Sequence, residues 1–551
     1  MDLFVKILVG ICIFFVPFSF AATQPWAFSV LQGLVTVAWL GRLCIRREWM
    51  FPTAIKPVLY VFGVLIGLCL VQSCFPRTLL DETGLYPVTF MRLYTLDHAS
   101  IFMTYLGLVL LVQQMYPSFE EMRRLAGLLV AGGVAVALCM VVFPNGEYIY
   151  RLLGTHRSAA AVGPFLNRNH GGVFLAMNAL LALGLFFTHQ LDYKRRLARE
   201  ERSLFWVQQG WLLTASAGLM VATVFTRSRG AMLALFIGLF VYALLCLWSV
   251  PAPFKRRLKG VFYTLVLLVV SSAWIYTHIP EINRFSQRST GTSEQTRQML
   301  YRAGGRILQK YPVWGIGIGA MPVVINEYTE YDLHQYIERL HNDWLEITLG
   351  VGYAGALLLL VGLAGFISRS LRTLKRLEVR KQFLFAALLS TLGAMCVGSL
   401  VDFHFFIPGC AFMFFCVLGM TLAGTFHKGH VQHWRAGRIG GVVVLVGLVL
   451  ALWIPGRKTF AWRAFLFGRE LKTEGKIASY QQGLAYYPSP RHAVRLGNAY
   501  YNAANHAKDV LEKWYYYELA RELAEQYLEQ YPKDKELSKL YMRARKRAGG
   551  I

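Results

Sequence analysis

Long apolar runs recur along most of the chain and are separated by short polar segments. Each run is long enough to cross about 30 Å of hydrocarbon as a helix, which takes roughly 17–25 residues. Lipid cannot satisfy bare backbone amides, and strand-like alternation is absent, so the pattern predicts helices rather than a β-barrel. We predict about 13 spans, near residues 3–21, 26–44, 57–75, 98–114, 125–143, 170–188, 206–225, 230–249, 260–277, 345–366, 383–401, 407–426 and 439–455. The predicted fold class is therefore all-α, a polytopic transmembrane bundle.

The first span has a second interpretation. Lys6, an apolar run and the residues Phe18-Ser-Phe-Ala-Ala also form the pattern of a secretory signal peptide that is cleaved after export. Both interpretations give the later spans the same orientation.

Composition agrees with a membrane protein. Hydrophobic residues make up 55% of the chain and charged residues only 16%, whereas a soluble domain carries about a quarter charged residues. The nine cysteines lie in or beside apolar runs and form no CxxC pair, which argues against a zinc site or a disulfide framework.

The positions of the basic residues predict the orientation. With the N-terminus in the cytoplasm, six consecutive cytoplasmic loops are rich in Lys and Arg, as the positive-inside rule requires. These loops contain Arg46 and Arg47, Arg123 and Arg124, and the segments 194–196, 255–257, 369–381 and 428–438. This distribution accounts for the net charge of +26 and makes nucleic-acid binding unnecessary as its explanation.

This orientation places three polar features outside the cytoplasm: the segment 144–169, the long loop 278–344 and the tail 456–551. Loops as long as 278–344 are usually functional. We therefore divide the chain into a transmembrane domain, 1–455, and a tail, 456–551.

The tail has a helical pattern and a soluble composition. The stretches 480–501 and 523–542 each place Ala, Leu and Tyr at helical spacing around a turn marked by proline, Pro488 and Pro532. This resembles a short, irregular tetratricopeptide array. A helical hairpin on the membrane surface, anchored by the basic residues 543–547, is the alternative.

Two arginines are held at the outer boundary of the membrane by a very short turn. Arg227 and Arg229 flank Ser228 between two apolar runs. The planar guanidinium fork suits the oxygens of a lipid diphosphate. Snorkelling of both side chains to lipid headgroups explains the same composition.

A histidine lies at the mouth of the next span, where the long loop ends. His341 follows Arg339 and begins the sequence His-Asn-Asp-Trp-Leu. Histidine can act as a general base at neutral pH; a bond to a lipid headgroup is the alternative. Small residues at 350–355 permit close helix packing.

Taken together, these motifs resemble the O-antigen ligase and polysaccharide polymerase superfamily. The Ser-Arg-Gly turn at 228–230, the His-Asn-x-x-Leu element at 341–345 and the Gly-rich span after it carry the resemblance. Asn167-Arg168-Asn169-His170 adds to it, as does Arg297-Gln-Met-Leu-Tyr301 followed by the Pro/Gly-rich turn 311–319. The family implies a GT-C-like bundle, which the extra final span and the tail extend.

The resemblance implies that His341 is the catalytic base and that Arg229 and, less directly, Arg297 bind the diphosphate. Further candidates follow from charge and predicted position. Arg227 and Arg168 are added as diphosphate ligands, and Arg339, Arg157, Asn169, His170 and Asp402 as supporting residues. His170 and Asp402 are also the next candidates for the base.

The implied reaction moves a glycan from undecaprenyl diphosphate to a sugar hydroxyl on the periplasmic side of the bacterial inner membrane. Arginines can stabilise the leaving diphosphate, and the first outer loop, 22–25, has no carboxylate. We therefore predict an inverting transfer with no metal or other cofactor, although Asp81, Glu82 and Asp402 remain available as ligands.

The acceptor stays open. A ligase would use lipid A-core, whereas a polymerase would use another lipid-linked repeat unit. The tail slightly favours a polymerase, because it suits a chain-length or export partner. A transporter or flippase of lipid-linked glycan is the alternative function, although the two halves show no duplication; a non-catalytic scaffold leaves the motifs unexplained.

Overall fold

The structure is a computed structural model. It describes residues 2–45, 50–52, 55–75, 86–143, 161–192, 199–251, 280–329, 337–424, 433–435, 437–531 and 534–549. The predicted span 260–277 and Arg157 lie outside these residues, as do Asp81 and Glu82.

The elements follow one another in two groups. Up to the long loop they are α1 (Asp2–Phe18), α2 (Pro25–Ile45), β1 (Met50–Pro52), α3 (Lys56–Cys74), α4 (Arg92–Met115), α5 (Phe119–Val142), α6 (Arg168–Asp192), α7 (Arg199–Phe225) and α8 (Arg229–Ser249). Then come α9 (Pro280–Lys310), α10 (Met321–Val324), α11 (Asp343–Arg376), α12 (Val379–Gly398), α13 (Pro408–Gly424), β2 (His433–Arg435), α14 (Gly437–Ala451), α15 (Trp453–Gly468), α16 (Thr473–Tyr486), α17 (Pro490–His506), α18 (Val510–Gln530) and α19 (Lys535–Ala548). Short 3-10 helices lie at Phe20–Ala22 and Ile325–Glu327. The two strands pair antiparallel, with Met50 opposite Arg435.

The predicted all-α polytopic fold is confirmed. Among the described helices, nine are long and apolar enough to cross a membrane: α2, α3, α4, α5, α6, α8, α11, α12 and the stretch Ile439–Gly468 of α14 and α15. Helices α1, α7 and α13 also occur where spans were predicted. The first and last have only 17 residues, and α7 carries the polar Gln208 and Gln209, which hydrogen-bond to His189.

Helix α6 is the centre of the bundle. Its apolar part is fully buried, and α5, α7, α8 and α12 pack around it. Glycines allow the close approach: a Cβ on Gly184 would lie 2.3 Å from Cβ of Ala387, and one on Gly238 would lie 2.5 Å from Leu180. Small residues serve this purpose in membrane bundles, where lipid removes the usual hydrophobic drive between helices.

Helix α11 is interrupted. Gly352 has φ 67° and ψ −177°, which breaks the helical ladder. The Gly-rich stretch 350–355 was predicted to permit close packing, and Gly355, whose Cβ would lie 3.1 Å from Leu68 of α3, fits that prediction. The break was not predicted, because glycine spacing alone does not separate close packing from a left-handed residue.

The division into a membrane domain and a tail stays a prediction. Its boundary, 455/456, falls within α15, and Pro455 and Gly456 lie in the first turn of that helix. Proline is tolerated there because the first amides of a helix have no intrahelical acceptor. Helix α15 therefore runs across the predicted boundary.

The tail is a row of helices packed on the rest of the protein. Helices α15 to α19 pack successively against one another. The predicted turn at Pro488 falls at Tyr487–Ser489, while Pro532 lies outside the described residues. Lys458 pairs with buried Asp97 of α4 at 2.6 Å, and Arg491 pairs with Glu338 of the long loop. The tail thus contacts the loop that ends at His341.

Candidate active site

A buried carboxylate joins three parts of the bundle. Asp402 lies in the segment 399–407 between α12 and α13 and is 2% exposed. Its Oδ1 accepts hydrogen bonds from Nδ1 of His341 at 2.9 Å and from the amide of Phe403 at 3.0 Å. Its Oδ2 accepts a bond from Nδ2 of Asn169 at 2.5 Å. Nε2 of His170 lies 3.9 Å from Oδ1, which is an ion-pair distance rather than a hydrogen bond.

The surroundings keep Asp402 ionised. Burial raises its pKa, but the imidazoles of His170 and His341 outweigh burial and hold the pKa well below its ordinary value. A carboxylate can only accept, so Nδ1 of His341 carries a proton, and in the neutral ring this tautomer leaves the lone pair on Nε2. Burial lowers the pKa of neighbouring His404 to about 3, so this ring is neutral. The arrangement is therefore a carboxylate–imidazole pair in which His341 can accept a proton.

The backbone around His341 is held in an uncommon conformation. His341 has φ 58°, in the left-handed region, where a side chain costs roughly 1–2 kcal/mol. The hydroxyl of Tyr301 donates to the carbonyl of His341 at 2.9 Å, and Asn342 caps α11 by accepting a bond from the amide of Leu345 at 3.0 Å. Strain of this kind persists where neighbours over-determine the conformation, and it is common at functional sites.

The Ser-Arg-Gly turn repeats this backbone design. Arg227 has φ 62°, and Ser228 caps α8 by accepting a bond from the amide of Ala231 at 3.1 Å. Arg229 is the first residue of α8. The side chains of Arg227 and Arg229 are exposed, while Ser228 is buried.

The starts of α6, α8 and α11 meet. A Cβ on Gly172 of α6 would lie 2.5 Å from Cβ of Ala231 in α8, and a Cβ on Gly230 would lie 3.0 Å from Val401 beside Asp402. Asp402 itself bonds the residues at the starts of α6 and α11. Helix N-termini carry partial positive charge and free amides. The geometry thus suits an anion close to an imidazole base.

The other predicted residues take different positions. Arg168 is the first residue of α6, so it lies at this meeting point. Arg297 lies one turn before Tyr301, whose pKa is raised by burial and by Asp402 and lowered by Arg297. Arg339 instead pairs with Glu346 at 2.7 Å and stacks on Phe406 at 3.9 Å. Arg339 therefore ties the end of the long loop to the start of α11 and to the segment after α12, and its role as a supporting residue stays a prediction.

Three side chains at or near the site were not singled out from the sequence. In the sequence, Tyr301 is only the last residue of the motif 297–301, although its hydroxyl donates to the carbonyl of His341. Glu346 accepts from the amide of Leu340 at 3.0 Å as well as from Arg339. Gln72 is a fully buried amide in α3. The available signal was the same for the last two: a polar residue inside an apolar run.

Within the described ranges, His, Cys, Asp and Glu side chains form no group of three or more that could hold a metal ion. The proton acceptor and the positive groups described above come from the protein itself, and metal independence stays a prediction.

One family model matches part of the chain. Residues 213–360 match the family model described as O-antigen ligase. The match contains the Ser-Arg-Gly turn, Arg297 and His341, while Asp402 lies beyond it. No curated protein matches the chain. The chain therefore contains, within a polytopic membrane protein, a segment that is similar to the O-antigen ligase family, and the predicted resemblance to the O-antigen ligase and polymerase superfamily is confirmed.

Proposed function

We propose that this protein is a glycosyltransferase that moves a glycan from undecaprenyl diphosphate to an acceptor sugar hydroxyl. One observation carries the proposal: Nδ1 of His341 is bonded to buried Asp402 where three helix N-termini meet. A positioned base and an anion-binding surface are the two parts that this reaction needs. The family match over 213–360 supports the same class of reaction.

The steps follow from the two parts. Nε2 of His341 takes the proton of the acceptor hydroxyl, while the oxygen of that hydroxyl attacks the anomeric carbon of the donor glycan. The bond from that carbon to the diphosphate oxygen breaks, and its electron pair stays on the diphosphate. Asp402 stabilises the imidazolium that forms. Attack opposite the leaving group inverts the anomeric centre.

The arginines bind and stabilise the leaving diphosphate. Arg229 and Arg227 lie at the start of α8, Arg168 at the start of α6, and Arg297 acts near Tyr301. Arginine offers two parallel donors to phosphate oxygens. These residues act on the charge that builds as the bond breaks, so they lower the barrier as well as holding the donor.

Removal of the base tests the proposal. Purified protein is given lipid-linked glycan extracted from cells that lack this protein, with the acceptor from the same cells. His341→Ala should reduce transfer by about 10²–10⁴-fold, the usual contribution of a general base. His506→Ala, which removes an exposed histidine of the tail, should keep parent activity. Parent-level transfer by His341→Ala would refute the proposed chemistry.

The transporter alternative has one observation in its favour, the interruption of α11 at Gly352, because transporters often use broken helices. The alternative leaves the His341–Asp402 pair without a role. A transport assay in vesicles separates the two: the transporter predicts movement of lipid-linked glycan without a new glycosidic bond.

The proposed location is the bacterial inner membrane, with the N-terminus in the cytoplasm and the site and tail in the periplasm. The basic loops of the sequence support this orientation. A reporter that is active only in the cytoplasm should work when it is fused after Arg199 and fail after Ile551. The opposite result would reverse the proposed orientation in the membrane.

We propose a polymer as the product, with ligation to lipid A-core as the alternative. The start of α18 exposes Leu511, Trp514 and Tyr515 at 74%, 44% and 54%, a surface that suits a chain-length or export partner. Leu511→Ser combined with Trp514→Ser should change the glycan length in cells while leaving transfer by purified protein unchanged.

A further inference from the structure

The two Gly-rich motifs of the sequence are hydrogen-bonded to each other. Segment 312–317 of the long loop lies against α11 where Gly352 interrupts the helix. Two loop amides donate to carbonyls of α11: Ile316 to Leu349 at 2.9 Å and Gly317 to Gly350 at 3.2 Å. Two amides of α11 donate back to loop carbonyls: Tyr353 to Pro312 at 2.7 Å and Ala354 to Val313 at 3.2 Å. The loop therefore supplies the partners that the broken helix has lost, as a membrane interior requires.

Left-handed glycines fix this fit. Gly315 has φ 72°, and a Cβ on it would lie 2.1 Å from the carbonyl oxygen of Leu349. Gly352 has φ 67°, and its Cβ would lie 2.1 Å from the carbonyl oxygen of Val313. Only glycine combines a positive φ with backbone contact this close. The break is thus a specific junction rather than a local irregularity.

A side chain from another helix joins both segments. Gln72 lies in α3 and has no exposed surface. Its Nε2 donates to Trp314 O at 3.0 Å and to Gly350 O at 2.8 Å, and its Oε1 accepts from the amide of Ile318 at 3.4 Å. Both donors and the acceptor of the amide are used. Gln72 therefore links α3, the loop and α11 at one point.

We propose that Gln72 is a positioning residue: by fixing one end of the first part of α11, it holds His341 in place at the other end. This inference rests on the proposed function of His341. The part before the break, 343–351, begins at the cap that follows His341 and ends at the residues that Gln72 holds. It spans about 13 Å at 1.5 Å per residue, so a tilt of about 5° moves its start by about 1 Å.

The expected loss is moderate, because the start of α11 has anchors of its own. The amide of Asp343 donates to Ser399 O at 2.9 Å, and its Oδ2 accepts from the amide of Phe405 at 2.8 Å. A displacement of 1 Å can cost about 10²-fold in rate. With these anchors in place, we expect about a tenfold loss of kcat.

The test compares Gln72→Leu with Gln32→Leu in purified full-length protein. Gln32 is a matched control: it is 1% exposed, lies in α2 and donates to Thr104 at 2.8 Å. Gln72→Leu should lower kcat about tenfold and leave KM for the lipid-linked glycan within about twofold, because the arginines are untouched. Gln32→Leu should lower Tm and keep kcat.

A second readout does not depend on activity. Diethyl pyrocarbonate modifies exposed imidazoles, and His341 is 34% exposed. Its modification, measured by peptide mass spectrometry relative to exposed His506 of the tail, should become severalfold faster in Gln72→Leu. The ratio should stay at the parent value in Gln32→Leu. A purely structural role of Gln72 would not act on His341 selectively.

Gln72→Glu keeps the inference testable where the leucine variant does not fold. A protonated carboxyl retains the acceptor and one of the two donors, so kcat should lie between those of the parent and the leucine variant. Parent kcat together with an unchanged His341 to His506 ratio, in whichever of the two variants folds, would overturn the inference. Failure of the proposed function itself would give a different result, namely parent-level transfer by His341→Ala.

Discussion

The starts of α8 and α11 have the same backbone design and opposite side-chain surroundings. Each has a residue in the left-handed region, Arg227 or His341, followed by a capping residue, Ser228 or Asn342. His341 is bonded through Nδ1 to a carboxylate that is 2% exposed, whereas the arginines at the start of α8 are exposed.

The difference corresponds to two chemical tasks. A base must keep one nitrogen at one place and in one tautomer, so its ring has a buried partner. A diphosphate spreads its charge over several oxygens and arrives on a flexible lipid, so long exposed guanidinium groups can meet it in more than one geometry. We infer that the start of α11 holds the base in one position, whereas the start of α8 provides positive charge for the diphosphate.

Replacement of Asp402, the buried partner of His341, should cause the largest loss of kcat. Asp402→Asn can no longer stabilise an imidazolium or require a proton on Nδ1, so kcat should fall by about 10²-fold or more. Asp509→Asn, a capping residue of the tail, should keep parent kcat because asparagine caps equally well. Equal kcat of parent and Asp402→Asn would mean that the pair is not catalytic.

The same variant predicts a pH dependence of stability. The folded-state pKa of Asp402 lies well below its ordinary value, so the carboxylate adds stability above the unfolded pKa of about 3.9. That contribution disappears as the pH falls through the folded-state pKa. The difference in Tm between parent and Asp402→Asn should therefore shrink below about pH 4. A difference that is constant from neutral to acidic pH would contradict an ionised Asp402.

Arg229→Lys should have an intermediate effect at the other helix start. Lysine keeps the charge but loses the paired donors, so transfer should fall by about tenfold. The protein should remain in the membrane at parent level, since this side chain is exposed. Arg543→Lys, in an exposed part of the tail, is the matched control. Tolerance of Arg229→Lys and Arg229→Ala alike would favour snorkelling over diphosphate binding.

The caps should give the smallest and most selective effect. Ser228→Ala and Asn342→Ala should each lower the free energy of unfolding by about 1 kcal/mol. Only Asn342→Ala should also lower kcat, by a few-fold, because the precise position of His341 depends on its helix start. Kinetics and thermal melts of both variants make the comparison. Equal losses of kcat in the two variants would mean that the start of α11 needs no more exact a position than the start of α8.

Much of the site could be anticipated from local sequence. The motifs at 228–230 and 341–345 lie within the segment that matches the O-antigen ligase model. Ser228 and Asn342 each accept the bond expected of a cap. Asp402 was considered only as a supporting residue, an alternative base or a metal ligand. Its partnership with His341 spans 61 residues, and no local pattern encodes a contact at that separation.

The sequence by itself determined the membrane helices, because lipid cannot satisfy free backbone amides and the apolar runs show no strand-like alternation. It also determined the polar residues that lie at their ends. The tertiary structure alone decided that Asn169, His341 and Asp402 meet, that Arg339 is occupied by Glu346, and that Gln72 closes the break in α11. Each of these contacts depends on how distant helices pack, and packing is a property of shape and volume that no single segment contains.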